Sequence, residues 1–93
     1  MKDFVIVAYD ISDDRRRLQV AKILKDYGTR VQYSVFECLL DKDTLKKMEQ
    51  RISREINQAE DNVRIYVLSK SCQKDVIVLG EGKPLEEEEA YII

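Results

Sequence analysis

Residues 4–9 (Phe-Val-Ile-Val-Ala-Tyr) form an unbroken apolar run, rich in β-branched residues, that ends on the carboxylate of Asp10. Six apolar residues without polar alternation read as a central strand buried on both faces. The strand delivers its acid directly into a helix start. Ser12 is the expected N-cap, and Asp13 and Asp14 occupy the first turn, where the macrodipole favours acids. Leu18, Ala21, Leu24 and Gly28, with Val20, Ile23 and Tyr27 beside them, supply a helical apolar stripe. Asp26, Tyr27 and Gly28 close this helix, with Gly28 expected as a left-handed cap.

Residues 30–40 have strand character without Gly or Pro, but their alternation changes phase partway. Val31, Tyr33 and Val35 share one face, whereas Phe36, Cys38 and Leu40 share the other. A period-two pattern that flips requires a bulge or a tight break near residues 34–36, giving two short antiparallel strands or one sharply bent strand. Asp41 or Asp43 then caps a second helix, along which Leu45, Met48, Ile52, Ile56 and Ala59 step by three and four. Asp61 and Asn62 make a turn, residues 63–68 form another strand, and residues 76–79 form a fifth, ended by Gly80, Gly82 and Pro84.

That order predicts an α+β fold: a ferredoxin-like βαββαβ sandwich with an additional C-terminal strand. Residues 1–80 make up the domain, including the fifth strand, and residues 81–93 an acidic C-terminal tail ending in a short apolar segment. The four-stranded core leaves the fifth strand without a place of its own. It must occupy an exposed edge or add to a partner's sheet, so a homodimer is expected. A chain of 93 residues buries only one modest core, which also favours pairing.

Histidine is absent, and the two cysteines, Cys38 and Cys72, lie 34 residues apart with no Cys-x-x-Cys pair. A structural zinc site and the Cys/His and Ser/His/Asp nucleophilic sites are excluded on residue count. Any hydrolytic chemistry must draw on carboxylates, metal-bound water or tyrosine. Cys38, in an apolar strand, is expected to be a buried, inert thiol. No apolar run approaches the roughly 20 residues that span a bilayer, and the N-terminus is too short and acidic for a signal peptide, so a cytoplasmic location is expected. The net charge of −2 conceals an asymmetry: residues 1–80 carry 15 bases against 13 acids, and residues 81–93 carry five acids and one lysine. The mildly basic body is compatible with nucleic-acid binding.

Asp10 has two readings. It caps the following turn, or it is a ligand for a hard cation, which carboxylates, waters and substrate phosphates hold together. A two-fold axis near the strand ends would bring two Asp10 residues together and supply the pair that one chain lacks. Arg15, Arg16 and Arg17 either pair with Asp13 and Asp14 or contact phosphate. Adjacent helical positions fan out by about 100°, so at most two can face one phosphate path. Among the aromatics, Tyr9 lies beside Asp10, Tyr33 is expected in the core, and Phe36 is expected to project onto a base or a partner subunit. Residues 86–89, all glutamate, are expected to be solvated, and the terminal residues 90–93 to dock.

These residues resemble the CRISPR-associated protein 2 family. The likeness rests on residues 9–15 (Tyr-Asp-Ile-Ser-Asp-Asp-Arg) and 30–37 (Arg-Val-Gln-Tyr-Ser-Val-Phe-Glu), with the Gly28 helix stop between them. It covers essentially the whole chain and weakens after residue 60. The resemblance implies ferredoxin-like homodimers that bind the CRISPR-associated protein 1 integrase subunit during spacer capture. It also implies an endonuclease activity described for some members on single-stranded RNA or double-stranded DNA, with Mg²⁺ or Mn²⁺. Residue by residue, it places the family's catalytic, metal-binding aspartate at Asp10, its helix arginine at Arg17, a second arginine at Arg30 and its motif phenylalanine at Phe36, with Tyr9 supporting the site. A further basic residue found in some members is Gln19 here, and Arg15 and Arg16 are positioned to compensate. The expected function is therefore nucleic-acid binding in CRISPR adaptation, with Mg²⁺-dependent phosphodiester cleavage. The rivals are a non-catalytic scaffold bridging integrase subunits, an RNA-cleaving toxin of similar fold, and a small-molecule-sensing regulatory domain.

Overall fold

The structure, a computed structural model, describes residues 1–82. Four strands and two helices alternate as β1 (Asp3–Asp10), α1 (Asp14–Lys25), β2 (Gly28–Gln32), β3 (Val35–Leu40), α2 (Lys42–Glu55) and β4 (Asn62–Leu68), followed by a 3₁₀ helix at Lys70–Asp75. All three strand pairings are antiparallel, in the order β2-β3-β1-β4. This is the expected ferredoxin-like α+β sandwich.

β1 is central and buried on both faces, as its unbroken apolar run requires. Val5, Val7 and Tyr9 pack under the helices with Val20, Leu24, Phe36, Cys38, Met48 and Ile52. On the opposite face, Phe4 and Leu39 form a second cluster covered by Ile6, Cys72 and Val76. Both helices contribute to the first layer through the predicted stripes, except that Leu18 and Ala59 lie exposed outside them.

The phase flip is a hairpin. β2 and β3 are separate strands joined at Tyr33 and Ser34, with a register irregularity between Arg30 and Gln32. The cap of α1 is Asp13 instead of Ser12: its carboxylate accepts the Arg16 N–H at 2.9 Å. Asp41 caps α2, accepting the Thr44 N–H at 2.8 Å.

Gly28 is required for a different reason from the one its position implied. Positive φ occurs only at Gly80 and Gly82 among the described residues, so Gly28 is no left-handed cap. It opens β2 opposite Cys38, and a Cβ there would stand 2.4 Å from both Cys38 Sγ and the Glu37 carbonyl oxygen. Close approach of β2 to β3 excludes a side chain.

Residues 76–79, expected as a fifth strand, form no strand and pair with none among the described residues. Val76 is extended and packs on the second cluster, whereas Ile77 and Leu79 are 84% and 89% exposed. The outer edge of β4 carries no strand among the described residues. The glutamate run and the apolar terminus of the tail lie outside the described residues. No helix among the described residues is long and apolar enough to cross a membrane.

Candidate functional site

β1 ends where three things meet: a carboxylate, the start of α1 and the β2–β3 hairpin. The backbone of Asp10 pairs with Asn62 at the beginning of β4, and its side chain is exposed. No hydrogen bond or ion pair among the described residues occupies that carboxylate. Ile11, 4% exposed, anchors the next residue in the core, and Asp13 then caps the helix.

The three arginines diverge, as adjacent helical positions must. Arg17 folds back over the turn after Asp10. Its Nη1 donates to the Ile11 and Ser12 carbonyls at 3.2 and 3.3 Å, and its Nη2 to the Asp14 carboxylate. The bond to Asp14 leads the influences that raise its pKa further, so it carries a fixed positive charge beside the strand end. Arg15 is exposed.

Arg16 turns toward the loop that precedes β4. It donates through Nε to Asp61 Oδ2 at 2.8 Å and through Nη2 to Glu60 Oε2 at 3.0 Å and Asp61 Oδ1 at 3.3 Å. The Asp61 side chain has no exposed surface and also accepts the Asn57 N–H at 2.8 Å. Arg16 first and Asn57 second hold its carboxyl below the usual range. Expected as a nucleic-acid contact, Arg16 is committed instead to tying α1 to the loop that launches β4. Pairing across 45 residues leaves no local sequence signal, which is why Asp61 read only as a turn residue.

The aromatic assignments exchange places. Phe36, expected to project, has no exposed surface and stacks with Tyr9 at 6.4 Å between centroids. Its other contact is with Arg30, which lies opposite in the β2–β3 register with its guanidinium 5.3 Å from the ring centroid. Phe36 thus holds the Arg30 guanidinium over its ring, a cation–π contact. Tyr33, expected in the core, sits at the hairpin tip and is 88% exposed. The sequence did carry a signal: the alternation breaks near residues 34–36, and a break produced by a turn puts a residue that flanks it at the tip. Tyr9 links the two regions, donating its N–H to the Ser34 carbonyl at 3.1 Å and its O–H to the Tyr33 carbonyl at 3.5 Å.

Among the described residues no three His, Cys, Asp or Glu side chains cluster to hold a metal. A free, exposed carboxylate is nevertheless a hard oxygen donor suited to a divalent cation that completes its shell with water and phosphate. The Asp10 carboxylate has the donor chemistry of one such ligand and would need others from outside the described residues. Cys38 is chemically silent: burial pushes its thiol pKa up to about 12.

A profile of the family described as CRISPR associated protein Cas2 matches residues 1–76. A Chloroflexus aurantiacus protein named CRISPR-associated endoribonuclease Cas2 1 is 44% identical over 92 residues, spanning 97% of this chain and 99% of that protein. A Thermus thermophilus protein named CRISPR-associated endonuclease Cas2 2 is 45% identical over 86 residues, 92% of this chain and 90% of its own length. Among solved structures, a chain of a partial Cas6-RT-Cas1–Cas2 complex superposes with a TM-score of 0.70 at 32% identity, covering 85% of this chain and 91% of that one.

Proposed function

Since the chain belongs to the CRISPR-associated protein Cas2 family, we propose that it is a nucleic-acid-binding homodimer of CRISPR adaptation that cleaves phosphodiesters at a seam built on two Asp10 residues. One observation carries this reading: the Asp10 carboxylate ends the central strand exposed and without a partner among the described residues, with the Arg17 guanidinium folded over the adjoining turn. An acid that merely capped the turn would accept from a nearby N–H, as Asp13 and Asp41 do.

In this reading Asp10 from each protomer would hold the metal. A divalent cation, when bound, supplies charge neutralisation at the scissile phosphate. Arg17 and Arg30 orient the polyanion, Arg15 adds sequence-independent attraction, and Tyr9 and Phe36 fix the two arginine-bearing elements relative to the acid. The nuclease names of the relatives support this class of activity, with RNA named for one and no polymer specified for the other.

The test is cleavage of single-stranded RNA and of duplex DNA by purified dimer with Mg²⁺, comparing wild type with Asp10→Ala. The variant should bind but lose cleavage at least 100-fold. Equal cleavage by both would sink the catalytic role of Asp10. A second reading, a scaffold that holds DNA and bridges integrase subunits, is favoured by the structural neighbour from a complex containing Cas1 and Cas2. It predicts unchanged spacer integration by Asp10→Ala and loss of integration when Arg17 and Arg30 are replaced.

A further inference from the structure

Tyr33 is an aromatic residue that neither the core nor the turn requires. The residue is 88% exposed, so it adds little to the packing of the described residues. The hairpin contains no positive φ, so no special backbone conformation selects the residue at its tip. Turns are ordinarily built from Gly, Asn, Asp, Ser or Pro, which solvate well and cost nothing to expose. A tyrosine in that place is explained by something outside the chain that meets its face.

Its surroundings say what that is. The Tyr33 carbonyl accepts the Tyr9 O–H at 3.5 Å, and the next carbonyl, Ser34, accepts the Tyr9 N–H at 3.1 Å. The ring therefore pivots from a point fixed to the residue immediately before Asp10. The Tyr33 phenol also lies within electrostatic reach of Arg17, whose pKa it helps to raise. A fixed cation and an exposed π face, both anchored beside an unpartnered carboxylate, match the two halves of a nucleotide: phosphate on the cation, base on the ring. A duplex keeps its bases stacked on one another and offers only an edge or backbone to such a ring. An unpaired base offers its face.

We infer that Tyr33 is a stacking platform for an unpaired nucleobase adjoining the Asp10 seam, so that the site takes a single-stranded or locally opened strand. The inference rests on the nucleic-acid-binding reading above and adds to it the conformation of the strand and the residue that selects it. Replacing a stacking aromatic weakens single-strand binding by roughly tenfold, and phenylalanine preserves the face.

The test uses the full chain without divalent metal, so that binding is read apart from cleavage. Affinities are measured by fluorescence anisotropy for a single-stranded RNA and for a duplex of the same sequence, with wild type, Tyr33→Ala, Tyr33→Phe and Arg17→Ala. Tyr33→Ala should bind the single strand roughly tenfold more weakly and the duplex within twofold of wild type. Tyr33→Phe should match wild type on both, and a 2-aminopurine base in the single strand should be quenched by wild type but not by Tyr33→Ala. Equal weakening on both polymers, or none on either, overturns the platform. So does a shift from dimer to monomer in Tyr33→Ala by sedimentation, which would make the ring a contact between copies. If wild type binds neither polymer, the nucleic-acid reading itself fails; if it binds and only the Tyr33 variants are silent, that reading stands and the platform alone falls.

Discussion

Phe36 shows how a motif residue can matter to a site without touching a ligand. It has no exposed surface, stacks on Tyr9 and holds the Arg30 guanidinium 5.3 Å from its ring centroid. Phe36→Ala removes a fully buried ring, a change that costs about 3–5 kcal/mol. At roughly 0.05–0.15 kcal/mol per residue the whole domain holds only about 5–14 kcal/mol, so the variant should sit near the edge of folding. Urea unfolding measures this, and a loss below about 1 kcal/mol would contradict the core assignment. Glu37, the next residue, makes the opposite point. It faces the sheet surface away from the helices, opposite Ile6, where burial raises its carboxyl pKa above the ordinary 4.5. Below that ordinary value the group is neutral in both folded and unfolded chains; above the raised value the folded chain bears a poorly solvated charge. Glu37→Gln should therefore raise the thermal midpoint at pH 7, on the order of 1–2 °C given solvent screening at a half-exposed side chain. The gain should vanish at pH 4. A gain that persists there would have another cause.

At the scale of elements, Gly28 separates two explanations that the sequence alone leaves indistinguishable. A glycine after a helix is commonly a left-handed cap, and such a position tolerates asparagine. The structure assigns it to close approach, with Cys38 Sγ and the Glu37 carbonyl oxygen where a Cβ would go. Gly28→Ala should cost about 1–3 kcal/mol and Gly28→Asn more, an order that denaturant midpoints will read directly. Asparagine better tolerated than alanine would restore the cap. The same contrast explains what was legible beforehand. Element types and order through β4 followed from local periodicity, because the apolar run of β1 and the stripes of α1 and α2 each declare their partner surface within a few residues; the fifth strand read at residues 76–79 did not form, and a 3₁₀ helix stands before it. Even the β2–β3 turn was written in the phase flip. Unreadable features depended on distant chain: Asp61 beneath Arg16, Cys38 against Gly28, and the choice of Asp13 over Ser12 as cap, where neighbouring residues have equal capping chemistry and only the entry path of the backbone decides. The site followed the same division. The closeness of Asp10 and Arg17 was legible because both lie within one strand-to-helix turn, whereas Tyr33 and Phe36 exchanged places because their exposure is set by tertiary packing.

For the molecule as a whole, the segment after the 3₁₀ helix and the outer edge of β4 pose one problem with one solution. Ile77 and Leu79 are 84% and 89% exposed, and Tyr66, Val67 and Leu68 on β4 are 46%, 49% and 38% exposed. An exposed apolar segment and a strand edge left open among the described residues both invite aggregation unless a second chain covers them. Exchange of residues 76–79 onto the partner's β4 would satisfy both surfaces at once and would hold the two protomers in a fixed relation. Ile77→Ser combined with Leu79→Ser should then leave the monomer fold intact by circular dichroism but convert dimer to monomer in sedimentation at micromolar concentration. Wild type should show a thermal midpoint that rises with protein concentration, and the double variant one that does not. A double variant that remains dimeric would remove the strand exchange from the assembly. The prediction also bears on the chemistry, because one chain contributes a single strand-end carboxylate. If the seam needs two, the monomeric double variant must lose cleavage as completely as Asp10→Ala does, although every residue of its own site is unchanged. Asp10→Ala, by contrast, must keep its dimer. Cleavage surviving in a verified monomer would show that one Asp10 is enough and that pairing serves only to hold the strand.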